Sequence, residues 1–439
     1  MAASVFSSAL YSDLFPTGEV GRLWSDSAEV RAMLLVEGAL AQVQGALGVI
    51  PELSAKFIHR ASLEVQIDPA ALAKATGQNG VSVPALVTEF RKAMEAPEHA
   101  QYVHWGATSQ DIIDTALMLR LRQTLTVQHE LLLSILRALG QQAEEYAELP
   151  MVGRTYGQHA TPTSWGAVLA QWGHPLMDAM DDLLAIRNGS IWVSLSGAAG
   201  TASALGPRAD EIRADLANAL NLRDPKRSWH TDRGPFLRIA DWMARIVATF
   251  SAMGQSAVAL SASDCQEISY AGGSSSTMPQ KKNPVEASAL AALGHQMTGL
   301  RASLQAAASH QHQRDGAALF TEWMVMPQIA LCWATSVKIA FSLVHNWQPN
   351  PTSMADKFGG LGGIHAEALS FALADIIPRP DAQTMVKELI DQARLSNQSL
   401  STVAQATYPE LPDELFDPAS QMGMAPAQAL AFSQRVKSV

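Results

Sequence analysis

Between two helical patterns lies Gly272-Gly273-Ser274-Ser275-Ser276-Thr277-Met278-Pro279-Gln280-Lys281-Lys282-Asn283-Pro284. Its glycines free the backbone, its serines and threonine carry hydroxyls with little bulk, and Lys281 adds a cation. Pro279 and Pro284 limit where the segment bends. Such a loop suits an anionic substrate, with donors for carboxylate oxygens and a hydroxyl close enough to move a proton. A flexible linker would account for the glycines and serines, but it has no use for Met-Pro-Gln-Lys-Lys-Asn-Pro. The stretch is read as a catalytic loop.

Two further stretches carry polar side chains ahead of long helices. In Val103-His104-Trp105-Gly106-Ala107-Thr108-Ser109-Gln110-Asp111, Thr108 and Ser109 place hydroxyls at a helix start. Free N–H groups and the helix dipole favour an anion there, although an ordinary N-cap has the same composition. His104 alone is equally a hydrogen-bonded structural histidine. The second stretch, Gly153-Arg154-Thr155-Tyr156-Gly157-Gln158-His159-Ala160-Thr161-Pro162, is by itself as good for a loop as for a site. Downstream, His310-Gln311-His312-Gln313-Arg314 falls within a helical pattern. Histidines two apart on a helix point roughly 200° apart, which argues against a shared metal ion. No HExxH, Walker or GxGxxG pattern appears, so neither a metal nor a cofactor is expected.

The elements that must position these residues are mainly helical. Ser25-Asp26-Ser27 caps a helix through about Leu47, on which Met33, Leu34, Val36, Leu40 and Val43 recur at helical spacing. Shorter helices follow from Ser54 and Asp68, with a separation at Gly77-Gln78-Asn79-Gly80. Long patterns cover Asp111–Glu148, Ser164–Arg187, Gly234–Asp264 and Val285–Asn346, the last broken near Gly316 and Pro327. Helices of about 25 residues measure roughly 40 Å, which implies a long bundle. The expected fold is all-α in three parts: an N-terminal helical domain at 1–100, a central bundle at 101–346 and a small C-terminal helical domain at 347–439.

The chain of 439 residues is 48% hydrophobic and 16% charged, with a formal net charge of −10. This composition excludes disorder, and the absence of a basic stripe argues against nucleic acid. The low charge fraction fits subunit faces covered by other subunits. No run of about 18 or more apolar residues and no basic signal-peptide start is present, which reads as a cytoplasmic protein without a membrane partner. Cys265 and Cys332, the only cysteines, form no disulfide framework.

Taken together, the three stretches resemble the fumarase/aspartase superfamily, whose hallmark is a Gly-Ser-Ser-x-Met-Pro-x-Lys-x-Asn-Pro loop. Ser275 through Pro284 match it, with Ser274 in place of the glycine and Gly273 just before. Thr108-Ser109, and Thr155 with Gln158, match the other signature regions. Within the superfamily the chain is most similar to the 3-carboxy-cis,cis-muconate cycloisomerase branch. That likeness rests on His104 through Thr115, Gly197-Ala198-Ala199-Gly200-Thr201, and His312-Gln313-Arg314 followed by Glu322-Trp323.

The resemblance implies a cofactor-independent enzyme acting on a small di- or tricarboxylate through an aci-carboxylate intermediate. It also implies a homotetramer whose active sites are each built from three subunits. Ser276 becomes the proton-transfer residue, with Tyr156 and His159 as possible assistants. His104, Thr108, Ser109, Gln110, Thr155, Gln158, Lys281, Asn283 and Arg314 become substrate contacts. Two departures matter: Tyr156 stands where fumarases carry His, and Ser288 where they carry Glu. Hydroxide needs an acid in order to leave, whereas a carboxylate leaving a lactone has a pKa of about 4 and needs none. The departures therefore disfavour a hydratase. The alternative is a lyase of the same superfamily that releases fumarate from an adenylosuccinate-, amino- or nitrosuccinate-like substrate. A tricarboxylate demands extra cations, for which Arg22, Arg154 and Arg314 are candidates, each equally open to a structural ion pair.

Overall fold

The computed structural model describes residues 4–270, 272–274, 277–278 and 280–438. Five helices dominate: Ser109–Glu145, Trp165–Ser190, Gly234–Leu260, Val285–Ala307 and Gly316–Asn346. The first, at 37 residues, is about 55 Å long. Among the described residues strands are confined to short antiparallel pairs, so the fold is all-α in class. The chain forms two compact units. One comprises Met1–Leu131, Ala179–Ala248 and Ala292–Ile339; the other comprises Leu132–Asp178, Thr249–Ala291 and Ala340–Val439. Every boundary between them falls inside one of the five long helices.

In the first unit, Ser25 caps the Asp26–Ala46 helix by accepting from the Ala28 amide at 3.3 Å. Met33, Leu34, Val36, Leu40 and Val43 on that helix are buried. A Cβ on Gly45 would lie 2.2 Å from the Ala55 Cβ, so glycine is what lets the Glu52–Glu64 helix pack so closely. Asp68 caps the Pro69–Asn79 helix through the Ala70 amide. This helix continues through Gly77 and stops at Gly80, whose φ of +70° suits glycine. The separation expected at residues 77–80 therefore moves to residues 80–82, ahead of the Val83–Ala93 helix. Trp229, Trp242 and Trp333 fill the core. The Trp242 indole N–H donates to the Ala179 carbonyl and that of Trp229 to the Val193 carbonyl.

In the second unit, Trp165, Trp172 and Trp347 form a ring cluster with centroids 5.6–5.8 Å apart. A Cβ on Gly173 would lie 1.9 Å from Phe432, so the Ala425–Lys437 helix seats its aromatic ring directly on the Trp165–Ser190 backbone. A separate core gathers Leu369, Leu373, Leu389, Leu400 and Leu411.

Among the described residues, two helices, Gly234–Leu260 and Gly316–Asn346, are long and apolar enough to cross a membrane by length and composition. Both serve as core helices here, burying Phe236, Trp242, Phe250, Ile329, Trp333 and Val337. Pro327 lies inside its helix without ending it, contrary to expectation. The break near Gly316 is present and spans residues 308–315. His310 through Arg314 therefore sit in a connector rather than on a helix, because Asp315 starts a new one. Its carboxylate accepts from the Ala317 and Ala318 amides at 2.9 and 3.2 Å.

Candidate active site

The first motif region sits at the head of the Ser109–Glu145 helix. His104 and Gly106, with φ of +65° and +74°, turn the chain into that helix. A Cβ on Gly106 would meet Leu205 at 2.6 Å, so the turn needs glycine for space as well as for conformation. Asp111 caps the helix by reaching back to the Thr108 amide at 3.0 Å. The Asp111 amide donates to the Thr108 carbonyl, and the Thr108 hydroxyl accepts from the Arg314 guanidinium at 2.9 Å. This geometry goes beyond an ordinary N-cap. Arg314 also donates to the Ala198 carbonyl at 3.1 Å, its Nε is buried without a partner, and it makes no ion pair among the described residues. Ser109 is half-buried. The site in this unit thus holds a cation and hydroxyls facing a helix N-terminus, a setting for a carboxylate.

Beneath it lies a buried polar frame. Asp111 accepts from the Ser196 and Gly197 amides at 2.8 and 2.9 Å and pairs with His230 at 2.7 Å. These bonds hold the Gly197–Gly200 turn against the helix head. Arg233 is fully buried between Asp114, which it contacts twice at 2.9 Å, and Glu322, at 2.6 and 2.9 Å. Burial lowers the Arg233 pKa, but the two carboxylates outweigh it, so the guanidinium stays charged. Burial pushes the Glu322 carboxyl up, Arg233 opposes that, and Asp114 adds to it. Gln110 belongs to this frame: it is buried, and its amide donates to Asp114 and to the His230 carbonyl. His104 pairs with the buried Glu37 at 2.7 Å. Burial pulls its pKa down, but Glu37 raises it above the ordinary imidazole value. His310 is the converse case: burial and the Arg233 charge hold it below that value. Both of its ring nitrogens are buried without hydrogen-bond partners among the described residues.

The second motif region is a β-hairpin rather than a plain loop. Pro150–Thr155 pairs with Gln158–Ser164, and Thr155 lies opposite Gln158. Tyr156 and Gly157, with φ of +51° and +73°, form the two-residue turn. Thr155, Tyr156, Gln158 and His159 are all exposed at its tip.

The third region lies in the same unit as this hairpin. Gly273 and Ser274 pair with Asn283 and Lys282, closing the loop at its base. A Cβ on Gly273 would press on Val285 at 2.9 Å, which is why glycine is needed here. Lys281 is exposed and Asn283 half-buried. Ser276, the expected proton-transfer residue, lies outside the described residues, as do Ser275 and Pro279. The stem leading into the loop begins at Glu267, a buried carboxylate paired with Arg154 of the hairpin at 2.7 Å. That ion pair joins the second and third motif regions, and it assigns Arg154 to structure rather than to substrate.

Asp111, Glu37, Arg233 and Glu267 were not singled out from sequence. The signal was present in Asp111, Asp114 and Glu322: acidic residues in otherwise apolar helices need partners. Among the described residues, no cluster of three or more His, Cys, Asp or Glu is arranged to hold a metal ion.

A family model described as a lyase matches residues 16–299. A 3-carboxy-cis,cis-muconate cycloisomerase of Pseudomonas aeruginosa is 32% identical, over 95% of this chain and 94% of its own. A nitrosuccinate lyase of Streptomyces davaonensis is 31% identical, over 97% and 94%. Among solved structures, the 3-carboxy-cis,cis-muconate lactonizing enzyme of Pseudomonas putida matches with a TM-score of 0.92 at 29% identity, covering 98% of this chain and 99% of that one. The motif loop, the fold and the sequence similarity along the whole chain agree: the chain belongs to the lyase family of the fumarase/aspartase superfamily.

Proposed function

We propose that this chain is a cofactor-independent cycloisomerase that lactonises 3-carboxy-cis,cis-muconate, a step in aromatic catabolism. Arg314 carries this reading. It is a guanidinium without an ion pair among the described residues, held on Thr108 at a helix head, where an additional substrate carboxylate needs a cation. Arg22 lines a separate cavity of the same unit, and Arg154 is paired with Glu267. The whole-chain similarity to cycloisomerases supports the same reading.

In the reaction, one substrate carboxylate oxygen adds to the conjugated double bond and forms the lactone C–O bond. The displaced electron pair moves into the conjugated carboxylate, giving the aci-carboxylate. Lys281, Asn283 and loop N–H groups hold that developing charge. Neutral Ser276 then gives its proton to the adjacent carbon and regains one from solvent. The substrate trianion becomes a dianion, so each turnover consumes one proton. Thr108, Ser109, Thr155, Gln158 and Arg314 hold the remaining carboxylates, with His104 and Gln110 supporting the helix head. In this reading Tyr156 and His159 shape the pocket or assist the proton transfer. Exposure of the hairpin tip fits active sites completed by other copies in a cytoplasmic homotetramer.

The test is ultraviolet absorbance of 3-carboxy-cis,cis-muconate with wild type and Ser276→Ala. Cyclisation breaks the diene, so absorbance falls with wild type and holds with the variant. A fall with both would move the proton chemistry to Tyr156 or His159. No change with either rejects the cycloisomerase. The similarity to nitrosuccinate lyase then favours the second reading, elimination from a substituted succinate with fumarate as the product.

A further inference from the structure

A cavity of about 1090 Å³ in the first unit involves none of the motif residues. It opens beside Arg122, which lies 13 residues beyond Ser109 on the same helix, or about 20 Å along its axis. Four arginines face it: Arg22, Arg122, Arg187 and Arg223. Among the described residues none of the four makes an ion pair. Arg122 donates to the backbone carbonyls of Leu220 and Asn221, and Arg223 donates twice to the Asn188 side-chain oxygen. These partners are neutral, so both charges stand uncompensated. Arg187 has its Nε buried with no hydrogen-bond partner. Its place in the last turn of the Trp165–Ser190 helix explains its sign, but not why that donor is left unsatisfied.

Glu19 is the single acidic residue of the lining, against four cations, in a chain whose net charge is −10. Four guanidinium groups around one cavity repel each other, and an anion relieves that repulsion. Their planar forks match carboxylate and phosphate oxygens. The cavity also exceeds the space a small inorganic ion needs, and Leu184, Ile191 and Leu222 give it apolar wall.

We propose that this cavity is a second ligand site, distinct from the motif residues, for a multivalent organic oxyanion with an apolar body. Carboxylate and phosphate forms share that chemistry. Isothermal titration at fixed ionic strength separates them, with benzene-1,3,5-tricarboxylate and adenosine diphosphate as probes. The wild-type protein is compared with Arg22→Gln/Arg187→Gln. Neither arginine side chain makes a hydrogen bond or ion pair among the described residues, so the double variant breaks no described side-chain bond of the fold; far-UV circular dichroism checks this. At least one probe should bind wild type and lose about tenfold or more in affinity in the variant, and which probe does so names the class. Benzenetricarboxylate binding that is equal in both proteins places that probe at the motif residues and, without adenosine diphosphate binding, overturns the proposal. So does an absence of binding by either probe, the result expected if a neighbouring copy fills the cavity. Binding is read directly, so the outcome does not depend on the cycloisomerase reading.

Discussion

Replacing Arg314 with Gln removes the guanidinium that donates to Thr108 at 2.9 Å and to Ala198 at 3.1 Å, along with the charge offered to a substrate carboxylate. A hydrogen bond to a charged group is worth about 1.5–3 kcal/mol. At about 1.4 kcal/mol per decade, kcat/KM should fall roughly 10- to 150-fold. Thr108→Val removes the hydroxyl that fixes the guanidinium. If the pair acts as a unit, the double variant loses less than the sum of the singles, with a coupling of at least about 0.5 kcal/mol. Arg314→Lys keeps the charge but not the fork, so it should fall between wild type and Gln. The assay is the initial rate of diene absorbance loss, with the urea midpoint as a control for folding. Activity of Arg314→Gln within about threefold of wild type, or strict additivity, would refute the assignment.

Arg233→Met strands the buried carboxylates of Asp114 and Glu322 and should cost about 3–5 kcal/mol. Glu322 is already pushed above the usual carboxyl range, so the folded variant holds protons that the unfolded chain releases. The deficit therefore grows as pH rises from about 5 to 8, and a pH-independent urea midpoint difference would contradict this. For His104, burial lowers the pKa but Glu37 raises it further, so the folded value lies above the unfolded one. The stabilisation it contributes is complete below about pH 6.5 and is lost as pH rises through the folded value. The midpoint gap between wild type and His104→Gln should therefore narrow on going alkaline. Arg154→Met strands Glu267, whose side chain is fully buried, and should also cost about 3–5 kcal/mol. Adding Glu267→Leu should recover most of that loss, and failure to do so would return Arg154 to the list of substrate contacts.

Much of the fold could be read locally. Ser25 and Asp68 cap the helices expected of them because a side-chain oxygen and the amides it satisfies lie within three residues. The loop at residues 272–284 stood out because its residue types, not their surroundings, are unusual. The hairpin at residues 150–164 escaped notice because its turn is Tyr156-Gly157 rather than Asn-Gly, and its strands, with Pro150 and Pro162, lack clean alternation. The break near Gly316 was legible, but its extent was not: His310 through Arg314 fit the helical pattern, and only the Asp315 cap reveals where the helix restarts.

Composition and helical periodicity determined that this is an all-α chain, and the resemblance of its motif stretches pointed to the fumarase/aspartase superfamily. Tertiary structure alone decided which charge meets which. His104 finds Glu37 across 67 residues, Arg233 finds Glu322 across 89, and Asp111 finds His230 across 119. It also sorted three arginines of identical chemistry: Arg154 into an ion pair, Arg22 into a cavity and Arg314 onto the Thr108 hydroxyl. The physical reason is range. Caps and periodicity are settled within a few residues of chain, whereas a buried charge only announces that it needs a partner, and folding decides which one comes within reach.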